Sequence, residues 1–170
     1  VYKRQLEGPP DQLQLTRNTQ PAILTVSYSI YEVLKKEFNF DFSSFKFFAG
    51  HSLGEYSALV CSDSLKFEDA LYLLHQRGIA MQQAVPVGLG SMLAILGTKI
   101  DLINELMNHN LKEDDVCEIA NDNAEGQVII SGKKKSVECI EKILKEKKIK
   151  SIQLKVSAPF HCKLMKPASE

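Results

Sequence analysis

Phe45-Lys46-Phe47-Phe48-Ala49-Gly50-His51-Ser52-Leu53-Gly54 is the stretch on which the fold reading turns. Its first half is a short apolar, aromatic-rich run ending at a glycine, which predicts a buried strand over Phe45 to Ala49. Its second half is a G-x-S-x-G pentapeptide with a predicted helix behind it, the strand-turn-helix context of a nucleophile elbow. Glycines there permit a sharp turn and close packing of helix on strand, while the helix N-terminus offers N–H groups and a positive dipole end. Leu53 N–H is then a candidate oxyanion donor. The same pentapeptide also suits a purely structural Gly-Ser turn, and the pattern alone leaves both readings open.

Upstream, residues 1 to 18 are polar, contain Gly8-Pro9-Pro10 and show no sustained period, so a loop or the remnant of a longer element is expected. Thr19 is placed to cap a helix with Pro21 near its start, and Ile23, Val26, Ile30, Val33 and Leu34 recur at helical spacing to about Phe38. Downstream of the elbow helix, Phe67, Ala70, Leu71, Leu74 and Met81 predict another amphipathic helix to about Ala84. Pro86, Gly88 and Gly90 then mark a boundary.

Beyond that boundary the pattern predicts a strand (Met92 to Leu96), a helix (Ile100 to Asn108), strands around Val116 to Asn121 and Gln127 to Ser131, a helix (Ser136 to Lys147) and a strand (Ser151 to Val156). The order βαββαβ is the ferredoxin-like arrangement. No internal repeat interrupts it.

Lys plus Arg and Asp plus Glu balance at 21 each over 170 residues, which leaves no net field for a polyanion. Neither a nucleic-acid partner nor a membrane surface is expected. The apolar runs are strand-sized, far short of the ~20 residues that span a bilayer, and no basic-then-apolar leader opens the chain, so a cytoplasmic protein is expected. Cys61, Cys117, Cys139 and Cys162 are scattered without a C-x-x-C pair, which predicts reduced thiols, no metal site and no cofactor. Cys162 follows His161 directly, but neighbours on an extended segment point opposite ways and make a poor nucleophile and base pair.

A serine hydroxyl needs a base at neutral pH. Of the four histidines, His51 adjoins Ser52 on a tight turn and would have to fold back to reach it. His75 shares a helix with Arg77, and His109 lies at a polar helix end. His161 stands just after a predicted strand, where α/β active sites gather, and is the preferred base, with an inert surface histidine as the alternative. Arg77-Gly78 is a second anomaly, because glycine inside a helix costs ~1 kcal/mol relative to alanine. Close approach of another element is expected there. The guanidinium beside it is either a bidentate carboxylate clamp or a solvated surface arginine.

Taken together, several stretches resemble the malonyl-CoA:acyl carrier protein transacylase family. They are Leu15-Thr16 with Thr19-Gln20-Pro21-Ala22, Gly50 to Leu59, Arg77-Gly78 with Met81-Gln82, Asn123 with Gly126 to Gly132, and Pro159-Phe160-His161 with Leu164-Met165. They occur in the family's order and span Leu15 to Ala168. The resemblance implies Ser52 and His161 as catalytic residues, with Ser52 acylated and His161 acting as general base and then acid. It implies Arg77 as the ligand of the malonyl carboxylate, and Leu53 and His51 join it as substrate-binding residues. Phe160 resembles the bulky residue of malonyl-specific members.

The implied fold is α/β: a hydrolase-like large subdomain with a short parallel sheet, over residues 1–87 and 158–170, and an inserted ferredoxin-like subdomain over residues 88–157. The implied partners are malonyl-CoA and acyl carrier protein, the implied process is fatty acid biosynthesis, and a monomer is the family expectation. Polyketide synthesis is an alternative setting for the same transfer.

Two departures from the family pattern stand out. No Gly-Gln-Gly-Ser-Gln segment precedes Leu15, and the family's C-terminal segment does not follow, so the chain is expected to be a fragment. Lys66 stands where the family often has a capping serine, which bears on stability and not on chemistry. Two rival readings remain: a serine esterase of the α/β-hydrolase type, for which no Asp in residues 53 to 160 stands out at a strand end and Asp122 is the one candidate acid, and a non-catalytic remnant that only docks a carrier protein.

Overall fold

The computed structural model describes residues 2 to 170, with side chains from residue 3 onward. The chain divides into two compact units, Val1–Ile79 and Ala80–Glu170.

In the first unit the polar N-terminal stretch is helical and not a loop: α1 (Tyr2–Glu7) and α2 (Pro10–Gln14) precede the long α3 (Thr16–Glu37). Pro10 opens α2 at a position where a helix needs no N–H. Helices this short are marginal in water by themselves. They are held by side chains that reach across to or from α3: Arg4 Nη1 donates to Asn18 Oδ1 at 2.7 Å and Gln5 Nε2 to the Ala22 carbonyl at 2.6 Å, while Asn18 Nδ2 donates to the Gln12 carbonyl at 2.7 Å. Such tertiary bonds leave no period in the sequence. They also explain why α3 begins at Thr16 and not at Thr19, whose hydroxyl reaches back to the Leu13 and Leu15 carbonyls at 2.5 and 3.0 Å.

Pro21 inside α3 has no N–H for the carbonyl of Arg17, one turn earlier. His75 supplies the missing donor, its Nδ1 lying 2.9 Å from that carbonyl. His75 belongs to α5 (Phe67–Ala84), whose residues up to Ile79 lie in this unit, and α4 (Gly54–Cys61) completes it. Leu24, Val60, Ala70 and Leu74 form its core, with Leu53, Tyr56 and Phe67 packed around them. The apolar positions Ile23, Val26, Ile30 and Val33, by contrast, lie on an exposed face of α3.

The strand expected over Phe45 to Ala49 is not formed. Phe45, Phe47 and Phe48 are exposed, Phe47 at 87 %. A strand exists only through ladder partners, and this unit contains no other strand among its described residues to pair with it. The expected short parallel sheet is likewise not formed among the described residues, whose one sheet is antiparallel.

That sheet belongs to the second unit, where β1 (Gly90–Leu96), α6 (Ile100–Asn110), β2 (Cys117–Ala124), β3 (Gln127–Lys133), α7 (Lys134–Glu146) and β4 (Lys150–Gln153) follow in the expected order. The strands lie as β2-β3-β1-β4, with Leu93 opposite both Ile130 and Gln153. Each crossover helix therefore skips one strand: α6 carries the chain from β1 over β3 to β2, and α7 carries it from β3 over β1 to β4. Apolar residues of the central strands, Leu93, Ile95, Val128 and Ile130, are buried against Ile103, Leu106, Val137, Ile140 and Leu144 of the two helices. At roughly 1.5–3 kcal/mol for each large side chain fully buried, this cluster dominates the unit's stability. A single 3-10 turn, Lys163–Met165, and α8 (Lys166–Ser169) close the chain.

Candidate active site

The turn before α4 is built around Gly50. A Cβ there would lie 1.8 Å from the Gly54 carbonyl oxygen, so no residue but glycine fits without moving the helix start. Gly54 has open space around it, so the close approach expected of both glycines is confined to the first. Backbone bonds from Gly54 N–H to the His51 carbonyl (2.9 Å) and from Glu55 N–H to the Ser52 carbonyl (3.2 Å) tighten the turn. Ser52 is forced to φ +54°, a left-handed conformation that costs a non-glycine residue roughly 1–3 kcal/mol and persists only where the surroundings impose it. Leu53 follows with its half-buried side chain packed against the core, and none of the described backbone carbonyls accepts its N–H.

Arg77 on α5 comes to this turn. Its Nη2 donates to Ser52 Oγ at 3.2 Å and its Nη1 to Gln20 Oε1 at 2.6 Å. Both partners are neutral, and among the described residues of this unit no carboxylate pairs with the guanidinium. Gln20 was given no role by the sequence, although it is buried at 4 % exposure beside Pro21 on α3. In the sequence Gln20 shows only its four-residue spacing from Thr16, and nothing local marks the pair.

The close approach expected at Gly78 is also found. A Cβ on Gly78 would lie 2.4 Å from the Cα of Arg17 and 2.8 Å from the Thr16 carbonyl, so the backbones of α5 and α3 meet there. His51 is exposed on the turn and lines a shallow cleft with Ile23, Phe48 and Leu53.

In the second unit, His161 is exposed at φ +58° on a turn fixed from both sides. Before it, Pro159 is fully buried and packs on Gly90, where a Cβ would come 2.2 Å from the proline ring. After it, the Cys162 thiol donates to the Pro159 carbonyl at 3.2 Å. Burial raises the thiol of Cys162 above its usual range and pushes that of Cys117 up to about 12, so neither is poised as a nucleophile. The other histidines are tied to backbone: His75 as above, and His109 Nδ1 on the Glu105 carbonyl at 2.8 Å. Asp122 is exposed on β2. Among the described residues no group of three or more His, Cys, Asp or Glu side chains could hold a metal ion, and no helix is long and apolar enough to cross a membrane.

The structure thus brings Ser52, Arg77 and Gln20 together in the first unit, on the turn that also carries His51 and Leu53, and places His161 on its own fixed turn in the second. The acyl transferase domain family matches residues 5–170. The chain belongs to this family. Among acyl transferase relatives, it is 45 % identical over 166 residues to the malonyl CoA-acyl carrier protein transacylase of Bacillus subtilis, covering 96 % of this chain and 51 % of that protein. It is 46 % identical over 168 residues to the Haemophilus influenzae protein of the same name, covering 96 % and 52 %. The structure of the malonyl CoA-acyl carrier protein transacylase of Coxiella burnetii superposes with a TM-score of 0.91 at 38 % identity, over 99 % of this chain and 52 % of that one. The chain spans about half the length of the curated relatives it matches.

Proposed function

We propose that the protein to which this chain belongs transfers a malonyl group from malonyl-CoA to the phosphopantetheine thiol of acyl carrier protein, in fatty acid biosynthesis. The observation that carries the reading is the guanidinium of Arg77 set 3.2 Å from Ser52 Oγ, with no carboxylate paired to it among the described residues of its unit. Hydrolysis of simple esters has no use for a cation at that place. A malonyl ester on Ser52 does, because its carboxylate stands one carbon beyond the ester carbonyl and would otherwise be buried unpaired.

The chemistry is a two-step exchange. Ser52 Oγ attacks the thioester carbonyl while His161 takes the hydroxyl proton, and Leu53 N–H donates to the oxyanion that forms. The carbon–sulfur bond breaks and the CoA thiolate leaves with the proton from His161. The carrier thiol then gives its proton to His161 and attacks the malonyl ester, and Ser52 recovers its proton as the ester bond breaks. His51 is a further substrate-binding residue in this reading, and Phe160 matches the bulky residue of malonyl-specific members. Malonyl-CoA and acyl carrier protein are the substrates that the names of the relatives support.

The architecture that goes with this reading is a large subdomain over residues 1–87 and 158–170, carrying the βαββαβ unit at 88–157 as a ferredoxin-like insert. The strand order of that unit supports it. The direct test is Arg77→Ala in the full-length protein. Malonyl transfer should fall at least tenfold more than acetyl transfer, as expected when one partner of a charged hydrogen-bonded pair is removed. Equal losses would show that Arg77 does not hold the carboxylate.

A further inference from the structure

We propose that Gln20 and Thr16 are positioning residues that hold Arg77 in the one orientation able to receive a substrate carboxylate. The proposal rests on the reading of Arg77 as the carboxylate clamp, and extends it to the residues that set the selectivity of the site.

A guanidinium can only donate hydrogen bonds, so the group of Gln20 that faces Arg77 Nη1 at 2.6 Å has to be the amide oxygen. The amide nitrogen then points the other way, and it donates to Thr16 Oγ1 at 2.7 Å. The guanidinium decides which way the amide faces, because a threonine hydroxyl can accept or donate, and the bond to Thr16 then holds the amide in place. Rotating the amide by half a turn would set its NH2 against the guanidinium, donor against donor. Gln20 and Thr16 are 4 % and 6 % exposed, so water is poorly placed to substitute for either bond.

The chemistry of the acceptor matters as much as its place. Gln20 is neutral, so it fixes one edge of the guanidinium without cancelling its charge. A carboxylate there would close an ion pair and compete with the substrate's own. Thr16 and Gln20 lie one turn apart on α3, and the backbone of that turn is the surface that Gly78, next to Arg77, touches. Two helices therefore meet at the point where the cation is aimed: α3 provides the acceptor and α5 the donor. In this arrangement preference for a malonyl over an acetyl group depends on Gln20 and Thr16, neither of which needs to touch the substrate.

The test compares malonyl-CoA and acetyl-CoA as donors in the full-length protein carrying Gln20→Leu, Gln20→Glu, Thr16→Val or Thr16→Ser, each with and without Arg77→Ala. Gln20→Leu and Gln20→Glu are expected to raise the KM for malonyl-CoA roughly tenfold relative to that for acetyl-CoA, the loss typical of a charge-assisted hydrogen bond. Thr16→Val should move the ratio the same way by less, and Thr16→Ser, which keeps the hydroxyl, should restore it. In the Arg77→Ala background Gln20→Leu should change the ratio no further, because the two residues act as one unit. A purely structural role would instead depress both donors together. If Arg77→Ala collapses the malonyl preference while Gln20→Leu and Gln20→Glu leave it intact, the positioning proposal fails and the clamp stands. If Arg77→Ala leaves the preference intact, the clamp reading fails and the proposal with it. Should Gln20→Leu not fold, Gln20→Glu and the two Thr16 variants decide the matter.

Discussion

Gly78 meets Arg17 backbone to backbone: a Cβ on the glycine would stand 2.4 Å from the Arg17 Cα and 2.6 Å from its nitrogen. Neither atom is the end of a flexible side chain, so an added methyl has to push two helices apart. Gly78→Ala should therefore destabilise the protein in spite of alanine's higher helix propensity, by an overpacking cost of roughly 1–3 kcal/mol. Thermal unfolding of the full-length variant should show a lowered Tm, and malonyl transfer should fall because Arg77 is displaced with its neighbour. An unchanged or raised Tm would mean that the close approach is not a constraint.

The thiol of Cys117, pushed to about 12 chiefly by burial and secondarily by neighbouring Cys162 and Glu118, gives a pH dependence of definite sign. Between the usual thiol value near 9 and about 12, the unfolded chain loses this proton while the folded chain keeps it. Stability should therefore fall as pH rises through that window, and be indifferent to this group below it. Cys117→Ala should flatten the alkaline slope of the unfolding free energy. Native Cys117 should also resist alkylation until the protein unfolds. Rapid labelling of the native thiol, or the same alkaline slope in the variant, would contradict this.

Much of this was legible in the sequence, for identifiable reasons. Every element of the βαββαβ unit was expected within a few residues, because its strands and helices bury their apolar faces against one another and so carry a strict period. The helices of residues 2 to 14 carry no such period, being held by Arg4, Gln5 and Asn18 through polar bonds to atoms distant in sequence. Phe45 to Ala49 had the composition of a strand, but a strand also needs a partner. The exposed row from Ile23 to Val33 shows the same limit: spacing defines an apolar face and does not state what covers it.

The candidate site divides along the same line. Ser52 and Arg77-Gly78 were conspicuous because G-x-S-x-G and a mid-helix glycine are local anomalies. Gln20 was not, because its role lies in a hydrogen bond to a residue 57 positions away. His161 was chosen for its place after a strand. What the sequence did not show is the means of fixing that turn, the Cys162 thiol on the Pro159 carbonyl and Pro159 on Gly90.

His161 as general base implies a second pH dependence, in rate and not in stability. Only a neutral imidazole can accept the proton of Ser52, so the rate of Ser52 acylation should fall as pH drops through the range in which an imidazole becomes protonated. In His161→Ala the rate should be lower by a factor of roughly 10²–10⁴ and should lose that dependence. A flat profile in the unmodified protein would exclude His161 as the base of this step.

In the proposed exchange Ser52 carries the acyl group. Full-length protein should be incubated with radiolabelled malonyl-CoA, quenched in acid and digested, and the labelled peptide sequenced. One labelled peptide containing Ser52 is expected, and no label in Ser52→Ala protein whose Tm matches that of the unmodified protein. Label that persists in the folded Ser52→Ala variant, or that resides on another residue, would contradict it.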